Sequence, residues 1–220
     1  MSKQVNALPR VDIRRVMVVY FIITRCGKMA KKSAKEKMAE QTSPAKVPLF
    51  EPSELVSLAK TDLFDKVTER AKRLGFSIIG EDRTRPWGGF LRIDESQAHD
   101  FAKTWFPTVD LVALEGYSKL SPKFLLVEPQ AQLSWQYHRR RSEVWRLIAG
   151  EASIVRSQTD ELQPSTPLAL GQVIELSCGE RHRLVGEAVW GIVAEIWKHE
   201  DPQHPSDEED IIRVMDAYGR

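Results

Sequence analysis

From Gly75 to Trp197 the chain alternates short apolar runs with breaker residues. FSII, GFLRI, KFLLVE, LSWQYH, EVWRLIAG, EASIVRS, GQVIELS, HRLVG and AVWGIVAEIW are rich in β-branched and aromatic residues, and Gly, Pro, Asp and Ser separate them. Eight or nine short strands at this spacing predict an antiparallel sandwich or barrel. One interruption, residues 95–106, carries Ala98, Phe101, Ala102 and Trp105 at helical spacing. It predicts a small helix inserted between the first strands.

Upstream the period is helical. Leu55, Leu58, Ala59, Phe64, Val67, Ala71 and Leu74 recur three and four residues apart, with Lys and Glu between them. Residues 49–75 are therefore expected to form one or two amphipathic helices, with Ser53 as N-cap and Gly75 as the stop. Downstream, the acids at 207–210 precede Ile211, Ile212 and Val214, which predicts a short helix with its dipole favouring those acids. The domain reading is a leader over 1–48, the helical segment over 49–75, a barrel over 76–200 and a tail over 201–220 that packs on the barrel.

Charge divides the chain in two. Residues 1–50 hold eleven Lys/Arg against three Asp/Glu, while the rest holds twenty-one against twenty-eight. A basic, solvated leader thus precedes an acidic domain with no basic face for a duplex, so nucleic acid is not an expected partner. The apolar run at 16–23, VMVVYFII, is too short for a bilayer core, which needs about 20 residues. No small-x-small cleavage site follows it. Met29 begins an ordinary soluble start, which leaves open an over-long start upstream of it. Cys26 and Cys178 lie far apart without a CxxC, which fits a reducing compartment, and cytoplasmic localisation is expected. No nucleotide-binding glycine loop and no repeat is present.

The candidate chemistry lies in Leu133-Ser-Trp-Gln-Tyr-His138. Strand alternation puts Leu133, Trp135 and Tyr137 on one face and Ser134, Gln136 and His138 on the other. Three polar side chains in an apolar region need partners. Glu143 opens the next strand, and His182 follows the turn at 177–180. Singly, each has an ordinary interpretation: a hydrogen-bonded structural histidine, or a surface carboxylate.

As a set, their spacing resembles the two-part cupin signature. The first half reads Gln130-x5-Gln136-x-His138-x4-Glu143-x6-Gly150 and the second Gly171-x5-Ser177-x-Gly179-x2-His182-x3-Gly186. Gln130, Gln136, Ser177 and Gly186 depart from the family's Gly, His, Pro and Asn. The resemblance implies an all-β cupin fold, a double-stranded β-helix or jelly-roll barrel, with N-terminal α-helices and a small helical insertion. It also implies that Gln136, His138, Glu143 and His182 converge on one divalent metal ion. Two imidazoles, a carboxylate and an amide oxygen suit Zn, Mn, Fe, Co or Ni.

Further marks point to a narrower group. LSWQYHRRRSE (133–143) resembles the LSLQxHxxRxE run of type II mannose-6-phosphate isomerases, GERHRL (179–184) their GxxHRL, and EEDIIR with DAYGR at the end their EDDIVR…DxYGR. Small stand-alone bacterial cupins labelled phosphoheptose isomerase share RPWGGF, DESQA, KLSPK, LSWQYH and GERHRLVG as well. These resemblances imply a metal-dependent sugar-phosphate isomerase that interconverts an aldose and a ketose. Glu143 and His182 would be ligands or the catalytic base. Lys123, Arg141, Arg183, Arg213 and Arg220 would bind phosphate, for which guanidinium forks are suited. The expected partner is a small-molecule sugar phosphate, with no membrane span, and a homodimer stays open. The alternative is a cupin that binds a carbohydrate or metabolite without turnover. A dioxygenase is weakened by Gln136, and a nucleotide-sugar epimerase lacks its His–Tyr arrangement.

Overall fold

The computed structural model describes residues 50–219. The leader over 1–48, with Cys26, and the terminal Arg220 lie outside the described residues. A 3-10 turn, Pro52–Leu55, is followed by helix α1, Lys60–Arg73. Its buried residues Leu63, Phe64, Val67 and Ala71 form the stripe that the periodicity predicts. Arg70, Lys72 and Arg73 crowd its last turn, where the helix dipole favours cations. Ser53 does not cap this helix. It lies inside the 3-10 turn, whose capping box runs between Glu51 and Glu54, and α1 starts from Ala59 without a side-chain cap.

Nine strands follow: β1 Ile78–Asp82, β2 Gly88–Ile93, β3 Lys123–Val127, β4 Trp135–Tyr137, β5 Arg141–Ser157, β6 Thr166–Pro167, β7 Val173–Leu176, β8 Arg181–His199 and β9 Ile212–Met215. Helices α2, Ala98–Trp105, and α3, Leu111–Leu114, fall between β2 and β3. All named strand pairs are antiparallel, in the order β1-β2-β3-β8-β4-β9, with β5 pairing β6, β7 and β8. This is an all-β, antiparallel jelly-roll barrel, with helices ahead of it and inserted in it.

Two long strands organise the barrel. The alternating runs around Gly150 and Gly186 predict separate strands, yet β5 and β8 each run through these positions and pair along their length. Bulges absorb the glycines: the register shifts between Gly150 and Ala152, and residues 187–190 bow out opposite residue 151. At Gly150 φ is +72°, and a Cβ there would collide with the Trp190 carbonyl oxygen. The early half of β8 borders β4, and its later half borders β3.

Alternation along the strands sorts their side chains into two cores. Phe124, Leu126, Val144, Ile192, Ala194 and Ile196 face outward and pack with Phe64, Val67, Phe101 and Trp105 from the helices. Phe101 is fully buried, 5.1 Å from the Phe124 ring and 5.6 Å from that of Phe76. Leu125, Val127, Trp145, Leu147 and Val193 face inward. On the same strands and with the same parity stand Lys123, Glu143, Glu195 and Trp197, so the interior turns polar toward one end.

The tail has no helix at 207–210. Asp207 instead makes a turn by accepting from the backbone N–H groups of Glu209 and Asp210, and Ile212–Met215 then pairs with β4. The unpaired edge of β4 captures the alternating Ile212, Arg213, Val214 and Met215 as a strand. Among the described residues no helix is long and apolar enough to cross a membrane.

Candidate metal centre

Three segments deliver the candidate ligands to one end of the interior. Strand β4 carries Gln136 and runs into His138, and Glu143 sits near the start of β5. The turn at 177–180 hangs from the His138 carbonyl, which accepts the Gly179 N–H at 2.8 Å. Gly179 takes φ +80°, a left-handed position suited to glycine, and the second residue of β8, His182, lies directly across from Gln136. His138, Glu143 and His182 are all buried, and their ligand atoms lie within 4.8 Å of one another.

Backbone carbonyls orient both imidazoles. The Nδ1 of His138 lies 2.6 Å from the Asp210 carbonyl oxygen, and that of His182 lies 2.9 Å from the Glu180 carbonyl oxygen. A carbonyl only accepts, so each Nδ1 carries a proton, and in the neutral imidazole each Nε2 then presents a lone pair. Both Nε2 atoms point at the same carboxylate: His138 Nε2 is 3.1 Å from Glu143 Oε1, and His182 Nε2 is 3.4 Å from Glu143 Oε2. His182 Nε2 and Glu143 Oε2 have no hydrogen-bond partner among the described residues. Buried acceptors facing each other without a donor are costly. A cation resolves the conflict, and ligand atoms around a tetrahedral ion with bonds of ~2.1 Å stand about 3.4 Å apart. The residues therefore fit a divalent metal, with carbonyl-anchored imidazoles of the kind that support metal sites.

Arg141 adds a fixed positive charge. Its Nε donates to Glu143 Oε1 at 2.8 Å, and its Nη2 to His138 Nε2 at 3.1 Å. Its Nη1 donates to Ser206 Oγ and the Asp207 carbonyl, and its guanidinium stacks 3.5 Å from the Trp197 ring centroid. Nη2 and an ion would compete for the same His138 Nε2 lone pair. Burial works to raise the Glu143 carboxyl, but His138 and Arg141 outweigh it and hold it well below the usual carboxylate range. Burial pushes His138 down, only partly opposed by Glu143, which keeps its Nε2 free of a proton.

The cluster opens on a cavity of about 660 Å³, counting its open mouth. Glu143, Gln136, Lys123, Arg141 and Arg213 line it. Gln136 faces this space with its Oε1 accepting the Ser134 hydroxyl at 2.5 Å. Lys123 is buried, 2.7 Å from Glu208 Oε1 and 3.3 Å above the Trp197 ring. Burial lowers its ammonium, and Glu195 and Glu208 partly oppose this. Arg213 is exposed at the mouth. Arg183 lies apart from this cavity, next in sequence to His182 and so on the other face of β8. It donates to Gln132 Oε1 at 3.2 Å and to the Met215 carbonyl at 3.3 Å.

Three charged residues of the cavity are not among the candidates that the sequence offers: Arg85, Glu195 and Glu208. Arg85 belongs to the RPWGG opening and pairs with Asp82 at 2.8 Å. Glu195 is the one charged residue between Trp190 and Trp197, a signal that a period-two reading could have used. Burial, and then the charge on Glu143, push its carboxyl up to about 8, with Lys123 and Arg141 pulling the other way.

No protein-family model matches the chain. The xanthan biosynthesis protein XanB of Xanthomonas campestris pv. campestris is 27% identical over 136 residues, which is 62% of this chain and 23% of that protein. The chain thus spans under a quarter of that relative's length. Among solved structures, a sugar phosphate isomerase from a cupin superfamily of Silicibacter pomeroyi aligns at 16% identity over 50% of this chain and 59% of that one, with a TM-score of 0.35. The capsular polysaccharide assembling protein CapF of Staphylococcus aureus aligns at 12% identity over 70% and 40%, with a TM-score of 0.42.

Proposed function

We propose that this chain is a metal-dependent sugar-phosphate isomerase, interconverting an aldose and a ketose in the manner of mannose-6-phosphate or phosphoheptose isomerases. One observation carries it: two imidazole Nε2 atoms and the Glu143 carboxylate converge without a donor at Glu143 Oε2 and His182 Nε2, and Glu143 in turn lines a cavity that also holds cationic side chains. The motif spacing supports it, and so does likeness to a protein of xanthan biosynthesis, since both point to carbohydrate substrates.

His138, Glu143 and His182 would hold the ion, with Gln136 as a weaker fourth ligand whose amide oxygen already accepts from Ser134. A divalent ion supplies polarisation of the sugar's carbonyl and hydroxyl oxygens. Arg213 at the mouth would meet a phosphate, with Arg85 and Lys123 adding positive charge within the same cavity. Arg141 serves the ligands more than the phosphate, because Glu143, His138, Ser206 and Asp207 occupy its nitrogens. Trp197, under Lys123 and Arg141, excludes water beside them.

The test is a panel of mannose, glucose and heptose phosphates offered to metal-loaded and chelator-treated protein. Conversion that needs the metal supports the isomerase. Tight binding of a phosphosugar without conversion would instead favour a binding module.

A further inference from the structure

Three carboxylates line the cavity, and the two that stand on barrel strands, Glu143 and Glu195, differ in what occupies them. Both oxygens of Glu143 face the imidazole cluster, and Arg141 donates to one of them. Glu195 lies in a row across three neighbouring strands, with Lys123 of β3 on one side and Trp145 of β5 on the other. It is buried and lines the same cavity as Glu143. The Trp145 indole donates to Glu195 Oε1 at 2.9 Å, which fixes the carboxyl plane. Its Oε2 takes no hydrogen bond among the described residues. Lys123, its cross-strand neighbour, places its ammonium on Glu208. The interior row of β8 would continue from Val193 to Trp197 with an apolar residue at lower desolvation cost. A carboxyl there, held at one oxygen and open at the other, has the form of a proton carrier.

We propose that Glu195 is the catalytic residue that moves the carbon-bound proton of the sugar phosphate between C2 and C1. This rests on the isomerase function proposed above. In the aldose-to-ketose direction, Glu195 Oε2 takes the proton from C2. The C2–H electron pair becomes the C1=C2 double bond, and the C1=O1 π pair closes onto O1. The hydroxyl proton passes from O2 to O1, the C2–O2 carbonyl forms, and Glu195 returns its proton to C1. Atoms and charge balance without a further reactant. A carboxyl balanced between its two forms near neutral pH suits both the taking and the returning. Lys123, Arg141 and Glu143 are the charged groups that set this balance.

Glu195→Gln tests the proposal, because the amide oxygen can still accept from Trp145. Metal content, melting temperature, KM and kcat are measured with the phosphosugar that the unaltered protein converts. The proposal expects kcat to fall by about 10²–10⁴-fold, with metal content, KM and folding retained. Glu195→Asp, which keeps a carboxyl but draws it back, should fall between the two, and it serves alone if Glu195→Gln does not fold. A kcat within about threefold of the unaltered protein overturns the proposal and leaves the isomerase standing. Loss of metal together with turnover also overturns it, because Glu195 would then be holding the ligand cluster. A metal-loaded, unaltered protein inactive on every sugar phosphate removes the isomerase and this role together.

Discussion

The Nδ1 of His138 donates its proton to the carbonyl oxygen of Asp210, 2.6 Å away and seventy-two residues along the chain. A loop of the tail thereby fixes the tautomer of a candidate metal ligand. The Asp210 carboxylate secures the loop in turn, accepting the backbone N–H groups of Arg139 and Arg140 and the Ser206 hydroxyl. Arg141 reaches the same loop through Ser206 and Asp207.

Asp210→Ala should loosen this anchor without removing a ligand. Supporting groups of this kind typically change metal affinity by about 10–100-fold. Competition with a chelator of known affinity should therefore show weaker binding in the variant, and equal affinity would show that the tail does not position His138.

Much of this was legible in the sequence, because alternation and ligand spacing are local. The period-two runs marked the strands, and the interval from His138 to Glu143 and on to His182 marked the cluster. What the sequence concealed was set by distant pairing. Gly150 and Gly186 have the look of strand ends, but bulges carry β5 and β8 through them. Residues 207–210 precede an edge strand because β4 offers an unpaired edge, which no local propensity records. Arg141 and Arg183 both flank ligands in sequence, yet one reaches the cluster while the other holds Gln132 and the backbone of Met215 on the opposite face.

Glu143 and Glu195 should affect stability with opposite signs in metal-free protein. Glu143 is depressed, so its stabilisation is present above its ordinary value of 4.5 and is lost as pH falls further, through its folded-state value. Glu195 is raised to about 8, so the cost of ionising it in the folded state is absent below 4.5, grows as pH climbs toward 8, and then levels off. Thermal melts should show Glu195→Gln gaining on the unaltered protein across that rise, with the two converging in acid. Parallel curves at all pH values would mean that Glu195 titrates normally.

Arg213 and Arg183 separate phosphate binding from architecture. Arg213 is exposed at the cavity mouth, so Arg213→Ala should raise KM for a phosphorylated sugar by about tenfold or more. Its melting temperature should hardly move. Arg183→Ala removes contacts to Gln132 and the Met215 carbonyl and should lower the melting temperature while KM stays near normal. The reverse pattern would place the phosphate on the Arg183 side of β8.

The proposed function depends on a divalent metal held by His138, Glu143 and His182. Elemental analysis of the purified protein beside His138→Ala and His182→Ala tests for it. About one divalent ion per chain is expected in the unaltered protein, and it should be lost in each variant while circular dichroism still reports a folded β barrel. No ion in the unaltered protein after incubation with Zn, Mn, Fe, Co or Ni, or equal metal in both variants, would contradict it.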